Sequence, residues 1–99
     1  MFVIIWQYQV RPGAEDAFRA LHGPQGGWAT LFREYAGYLG TELLVDTGTG
    51  PWVTIDRWDS EAAYAACLEA SREAYARIDA EGDALTEHER CLGRYRTPC

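Results

Sequence analysis

The segment Phe2-Val-Ile-Ile-Trp-Gln-Tyr-Gln-Val10 constrains the fold more than any other part of the chain. It is rich in β-branched and aromatic residues, which predicts a strand. Its second half alternates, with Trp6, Tyr8 and Val10 on one face and Gln7 and Gln9 on the other. Its first half is apolar on both faces, so both faces must be covered there. The run is too short to span a bilayer, and no stretch of about 18 apolar residues occurs elsewhere. It also lacks the basic start and small-residue cleavage site of a secretory leader. A chain of 99 residues has room for one domain with a modest core. That core must be built on both sides of this strand, which Arg11-Pro-Gly13 ends.

The remaining pattern supplies the cover. Ala14 to Leu21 reads as a helix with Ala14, Phe18 and Leu21 as its buried stripe; Glu15 and Asp16 favour its N-terminal dipole. His22-Gly-Pro-Gln-Gly-Gly27 breaks it, and helical spacing resumes over Trp28 to Tyr35. Gly37 to Gly40 reads as a turn into a strand over Thr41 to Val45, and Trp52 to Trp58 as the returning strand of a hairpin. The glycine-rich loop between them opens no helix, so it is no phosphate cradle. Asp59 or Ser60 caps a helix expected over about Glu61 to Ala80, with Tyr64, Leu68, Tyr75 and Ile78 as its stripe and Cys67 and Ser71 alongside. Gly82 reads as its stop. Thr86-x-x-Glu89 fits a capping box or the approach to a last strand through Cys91, Leu92 and Tyr95. The strand is preferred because it completes the sheet.

The order is then β-α-β-β-α-β, the ferredoxin-like α+β pattern: a four-stranded antiparallel sheet with its helices on one face. That arrangement leaves one sheet face bare. Val3, Ile5, Val53 and Ile55 fall on one parity, and Trp6, Tyr8, Trp52 and Trp58 on the other. Both parities are apolar, so a second copy of the chain is the expected cover, as a homodimer through the sheet face. Periodicity does not decide which parity meets the helices.

A net charge of −6 disfavours nucleic acid and anionic membrane surfaces as partners. All nine bases are arginines, and they are scattered along the chain without forming an anion-binding cluster. Cys67, Cys91 and Cys99 are odd in number and lack ligand spacing, which argues against a disulfide framework and a zinc site and for a reducing cytoplasm. Cys99, as the last residue, is expected to fray. No histidine pair has metal-ligand spacing, so neither a metal nor a cofactor is expected.

Several segments together resemble one family. Val10-Arg-Pro-Gly-Ala-Glu-Asp-Ala-Phe18, Ala36-Gly-Tyr-Leu-Gly-Thr-Glu-Leu-Leu44, and Ile55-Asp-Arg-Trp-Asp-Ser60 followed by Tyr64 are similar, in this order, to the antibiotic biosynthesis monooxygenase-like family. The resemblance implies a dimeric α+β barrel, in which two ferredoxin-like sheets pack face to face. It implies activities that range from cofactor-independent oxidation of phenols and hydroquinones to haem degradation. The haem-degrading branch uses an asparagine, a tryptophan and a histidine. Those positions fall at Trp6, Cys67 and about Arg77 here, and none matches.

A cofactor-free oxygenase needs a dry pocket for a flat aromatic substrate, stabilisation of a developing oxyanion, and a base. Trp6, Tyr8, Trp28, Phe32, Tyr64, Cys67 and Tyr75 are the candidate substrate-binding residues. Aromatics at such spacing also serve simply as core. The candidate bases are His88 and Asp56, with His22 beside them. His22 reads more simply as an exposed helix end, and His88 as part of a solvated charged segment. Asp56 sits mid-strand and needs a partner across the hairpin or across a dimer interface. Three functions stay open: an oxygenase acting on a phenolic or quinol substrate, a non-catalytic module binding a small aromatic ligand, and an isomerase or cyclase acting through an enol.

Overall fold

The computed structural model describes residues 1–98; Cys99 lies outside the described residues. The elements are β1 (Phe2–Val10), α1 (Glu15–His22), α2 (Gly27–Phe32), β2 (Tyr38–Leu44), β3 (Trp52–Trp58), α3 (Glu61–Ala70), α4 (Arg72–Asp83) and β4 (Thr86–Arg96). The strands form one antiparallel sheet in the order β2-β3-β1-β4, so the doubly apolar β1 sits between β3 and β4. This is the ferredoxin-like α+β arrangement. No helix is long and apolar enough to cross a membrane.

The structure decides the parity. Phe2, Ile4, Tyr8, Val10, Trp52 and Trp58 are buried and point toward the helices. Phe2, Ile4 and Trp58 pack with Leu31 and Phe32 of α2 and with Cys67 of α3. A second cluster joins Tyr8, Val10 and Trp52 to Phe18 of α1. The odd-numbered residues Val3, Ile5, Val53 and Ile55 lie on the opposite face, half-buried. Leu39, Leu44 and Tyr95, also in the sheet, are exposed.

Three expectations change. The helix expected over Glu61 to Ala80 is interrupted at Ser71, whose φ of −110° and ψ of 18° leave the helical region. Serine competes poorly in a helix interior, and this one is buried. The second segment then runs through Gly82, which is a helical residue and not a stop. Strand β2 begins three residues early, at Tyr38, because an irregularity at Leu39 lets Tyr38 pair with Trp58 and Gly40 with Arg57. Of the two expected cap residues, Ser60 caps α3, accepting a hydrogen bond from the Ala63 N–H at 3.1 Å.

Candidate active site

A cavity lies between the sheet and the helices. It leaves about 60 Å³ for the centres of water-sized atoms, several times what one water needs. Sheet register builds its floor. Trp6 pairs with Thr54, Tyr8 with Glu89, and Thr41 with Asp56, all on the parity that faces the helices. Trp28 and Phe32 of α2, Tyr64 of α3 and Tyr75 of α4 close the walls. Trp28 and Tyr75 meet edge to face at 4.7 Å between ring centroids. On α4, Tyr75, Asp79 and Gly82 follow offsets of four and three, so one helix face supplies all three.

Asp56 is half-buried among the aromatic side chains of the lining. Thr41 Oγ1 donates a hydrogen bond to its Oδ1 at 2.5 Å across the hairpin. Arg57 points the other way and pairs with Glu42. Burial raises the Asp56 carboxyl to about 6, and the Thr41 hydrogen bond opposes the rise. Asp56 is therefore a carboxylate at neutral pH with an affinity for protons suited to a base. Burial also pushes the phenols of Tyr8 and Tyr75 well above the usual tyrosine range, so both stay protonated donors.

His22 is buried, not an exposed helix end. Its ring stacks on Phe18, four residues earlier on α1, at 3.9 Å and 8°. Gly82 of α4 packs beside it: a Cβ there would stand 3.6 Å from His22 Cε1, an ordinary contact. Burial lowers the imidazole to about 4, so His22 lines the cavity uncharged at neutral pH. His88 stands opposite Gln9 on the far side of the sheet and is exposed. Cys67 is buried among Phe2, Ile4 and Trp58 and is not among the lining residues.

The cavity thus brings together Trp6, Tyr8, Trp28, Phe32, Tyr64, Tyr75 and Asp56. Thr41, Thr54, Asp79 and Glu89 also line it and were not anticipated from sequence. Asp79 was legible in principle, one turn beyond Tyr75 on the same helix face. Glu89 was not, because its facing depends on an irregularity of pairing near Leu92. At the mouth, carboxylate oxygens of Asp79, Asp83 and Glu89 lie within 4.8 Å of one another, all on exposed residues. Partial burial and mutual repulsion raise the Asp79 and Glu89 carboxyls.

The model of the antibiotic biosynthesis monooxygenase family matches residues 1–72. The chain belongs to that family. No curated protein matches it. Among solved structures, SnoaB, a cofactor-independent oxygenase from Streptomyces nogalater, superposes with a TM-score of 0.69 at 17% identity, over 99% of this chain and 91% of that one. The ActVA-Orf6 monooxygenase of Streptomyces coelicolor, solved in complex with nanaomycin D, gives 0.73 at 22% identity, over 99% and 88%. A conserved protein from Methanosarcina mazei gives 0.72 at 12% identity, over 98% and 92%. At these identities the neighbours establish the shared fold.

Proposed function

We propose that this family member is a cofactor-independent monooxygenase acting on a flat phenolic or quinol substrate held in the cavity. The observation that carries the reading is Asp56, a half-buried carboxylate inside an aromatic box, anchored on one oxygen by Thr41. The aromatic walls suit a planar substrate, and the phenols of Tyr8 and Tyr75 supply donors for the developing oxyanion.

The chemistry balances without a cofactor because the substrate is the reductant. Asp56 takes a proton from an acidic methylene flanked by phenolic rings. The resulting enolate gives one electron to O₂, and the two radicals combine to form a C–O bond. Asp56 returns its proton to the terminal oxygen of the peroxide. Loss of the second C–H proton breaks the O–O bond. One oxygen stays as a carbonyl and the other leaves as water. Every electron that O₂ gains comes from the carbon that becomes the carbonyl.

The same reading includes a homodimer through the open sheet face, which would cover Val3, Ile5, Val53 and Ile55 and the nearby Leu44 and Tyr95. Free Cys67 and Cys91 fit a reducing compartment such as the cytoplasm.

Oxygen uptake by chelator-treated protein, with a panel of anthrone-like phenols and hydroquinones, tests the proposal. Uptake above the uncatalysed rate that disappears in Asp56→Asn supports it. Binding without uptake across the panel overturns it in favour of a non-catalytic binding module.

A further inference from the structure

The charge lining the cavity is of one sign. Asp56 lies inside, and Asp79 and Glu89 line it from α4 and β4. Among the described residues, no arginine lines the cavity, and the sequence contains no lysine. Two arginines of the sheet are engaged elsewhere. Arg94 pairs with Glu61 at 3.1 Å and lies over the Tyr64 ring, 5.7 Å from its centroid, and Arg57 pairs with Glu42 on the open face. His22, the one basic side chain on the wall, is buried and uncharged, and its Nδ1 has no hydrogen-bond partner in the protein.

A ligand entering this space meets aromatic faces and carboxylates together. Ring faces are electron-rich and attract cations, and carboxylates at short range add to that attraction. An anionic substituent is repelled by these carboxylates and finds no cation on the lining to offset the loss of its hydration; the Tyr8 and Tyr75 hydroxyls offer it neutral donors only. The apolar walls alone would accept any flat molecule of the right size. Charge is what discriminates.

We propose that the cavity sorts aromatic ligands by charge: it takes amine-bearing phenols over neutral ones, rejects carboxylated ones, and uses Asp79 and Glu89 as its specificity determinants. The inference rests on the cavity being the binding site, as proposed above. It narrows the substrate class to aromatic phenols that are neutral or carry a protonated amine.

The test uses three naphthols of matched size, carrying an aminomethyl, a hydroxymethyl or a carboxylate group on the ring remote from the hydroxyl. Binding at pH 7.5 and low salt is followed by quenching of the fluorescence of Trp6 and Trp28. The expected order is amine, then neutral, then carboxylate, with a spread of about tenfold or more in Kd. The spread should shrink to within about threefold in 0.5 M salt, where screening acts over a few ångströms. It should shrink likewise in Asp79→Asn/Glu89→Gln. Asp16→Asn/Glu69→Gln removes two charges from exposed helix positions and should leave the spread intact, separating local charge from net charge. Equal affinities, a preference for the carboxylate, or an unchanged spread in Asp79→Asn/Glu89→Gln overturns the proposal. If none of the three quenches, the binding-site reading itself falls and takes this one with it.

Discussion

Thr41 Oγ1 donates to Asp56 Oδ1 at 2.5 Å, and the phenol of Tyr38 lies 2.5 Å behind the same threonine oxygen. Threonine has one hydroxyl proton. Since that proton goes to Asp56, Tyr38 must be the donor to Thr41. The two hydrogen bonds run in series toward the carboxylate, and each polarises the next. Both favour the ionised form of Asp56 against the burial that opposes it.

Removing the threonine hydroxyl should therefore raise the Asp56 pKa further. In Thr41→Val the acidic limb of the oxygen-uptake profile should move from near 6 to higher pH by about one unit, the worth of one hydrogen bond to a charged group. Thr41→Ser keeps the hydroxyl and should restore the profile. Tyr38→Phe should move it in the same direction by less. Carbon-13 titration of the Asp56 carboxyl reads the same shift without relying on turnover. An unmoved pKa in Thr41→Val would show that the hydroxyl does not tune the carboxylate.

Asp56 and His22 should leave opposite marks on stability. The folded-state pKa of Asp56 is raised from 3.8 to about 6, so the folded state holds its proton more tightly than the unfolded chain. Its ionisation costs stability as pH rises between those values, by roughly 3 kcal/mol in all. The folded-state pKa of His22 is lowered from 6.5 to about 4, so its contribution is fully present above 6.5 and is lost as pH falls toward 4. That loss is also roughly 3 kcal/mol. The two windows overlap and nearly cancel. Asp56→Asn should therefore be more stable than the wild type at pH 7 by roughly 2–3 kcal/mol. It should also lose stability steeply between pH 6.5 and 4, where the wild type stays nearly level. Urea denaturation across that range checks both. A wild-type-like curve for Asp56→Asn would remove the burial cost from the account.

Much of this architecture was legible in the sequence, and the gaps have physical causes. The strand β1 was plain because Val3, Ile4 and Ile5 leave no exposed face, and the β2–β3 hairpin was plain because its loop breaks the alternation. The aromatic walls followed from parity and helical offsets. The facing of the sheet was not legible, since Ile5 and Ile55 look as buried as Ile4 and Trp58 until the helices are placed. His22 was misjudged because a histidine before a glycine-rich break looks like an exposed end. Only the packing of α4 beside α1, with Gly82 next to the ring, shows that it is covered. Thr41 was invisible as a site residue because its role depends on the register that sets it opposite Asp56.

Gly37 should not tolerate a side chain. Its φ of 93° lies in the left-handed region, and a Cβ there would fall 2.6 Å from Ala63 Cβ. Its carbonyl also accepts from the Asp59 N–H at 2.7 Å, tying the start of β2 to the end of β3. Gly37→Ala combines a backbone penalty with a clash against α3, and should cost roughly 2–4 kcal/mol in urea denaturation. Gly13→Ala shares the unusual backbone, with a φ of 88°, but its Cβ would meet nothing within 4 Å. It should cost about 1 kcal/mol. Equal losses in the two variants would mean that the packing against Ala63 is loose enough to give way.

Ile5 and Ile55 stand directly opposite each other on the open face of the sheet, half-buried at the centre of an apolar patch. Val3 and Val53 extend the patch along the strands, and exposed Leu44 and Tyr95 lie on the flanking strands. A two-fold axis through such a face would bring Ile5 and Ile55 of one protomer against their copies, which makes the contact self-complementary. A charge introduced there would be stripped of water on both sides of the axis at once, without a partner. Ile55→Glu should therefore shift the protein from dimer to monomer in analytical ultracentrifugation at micromolar concentration. Its circular dichroism should stay native, because Ile55 lies outside the core clusters that hold the helices. Arg57→Ala loses only its ion pair with Glu42 at the edge of the patch, and should remain a dimer. A wild type that sediments as a monomer would instead require some other cover for the open face.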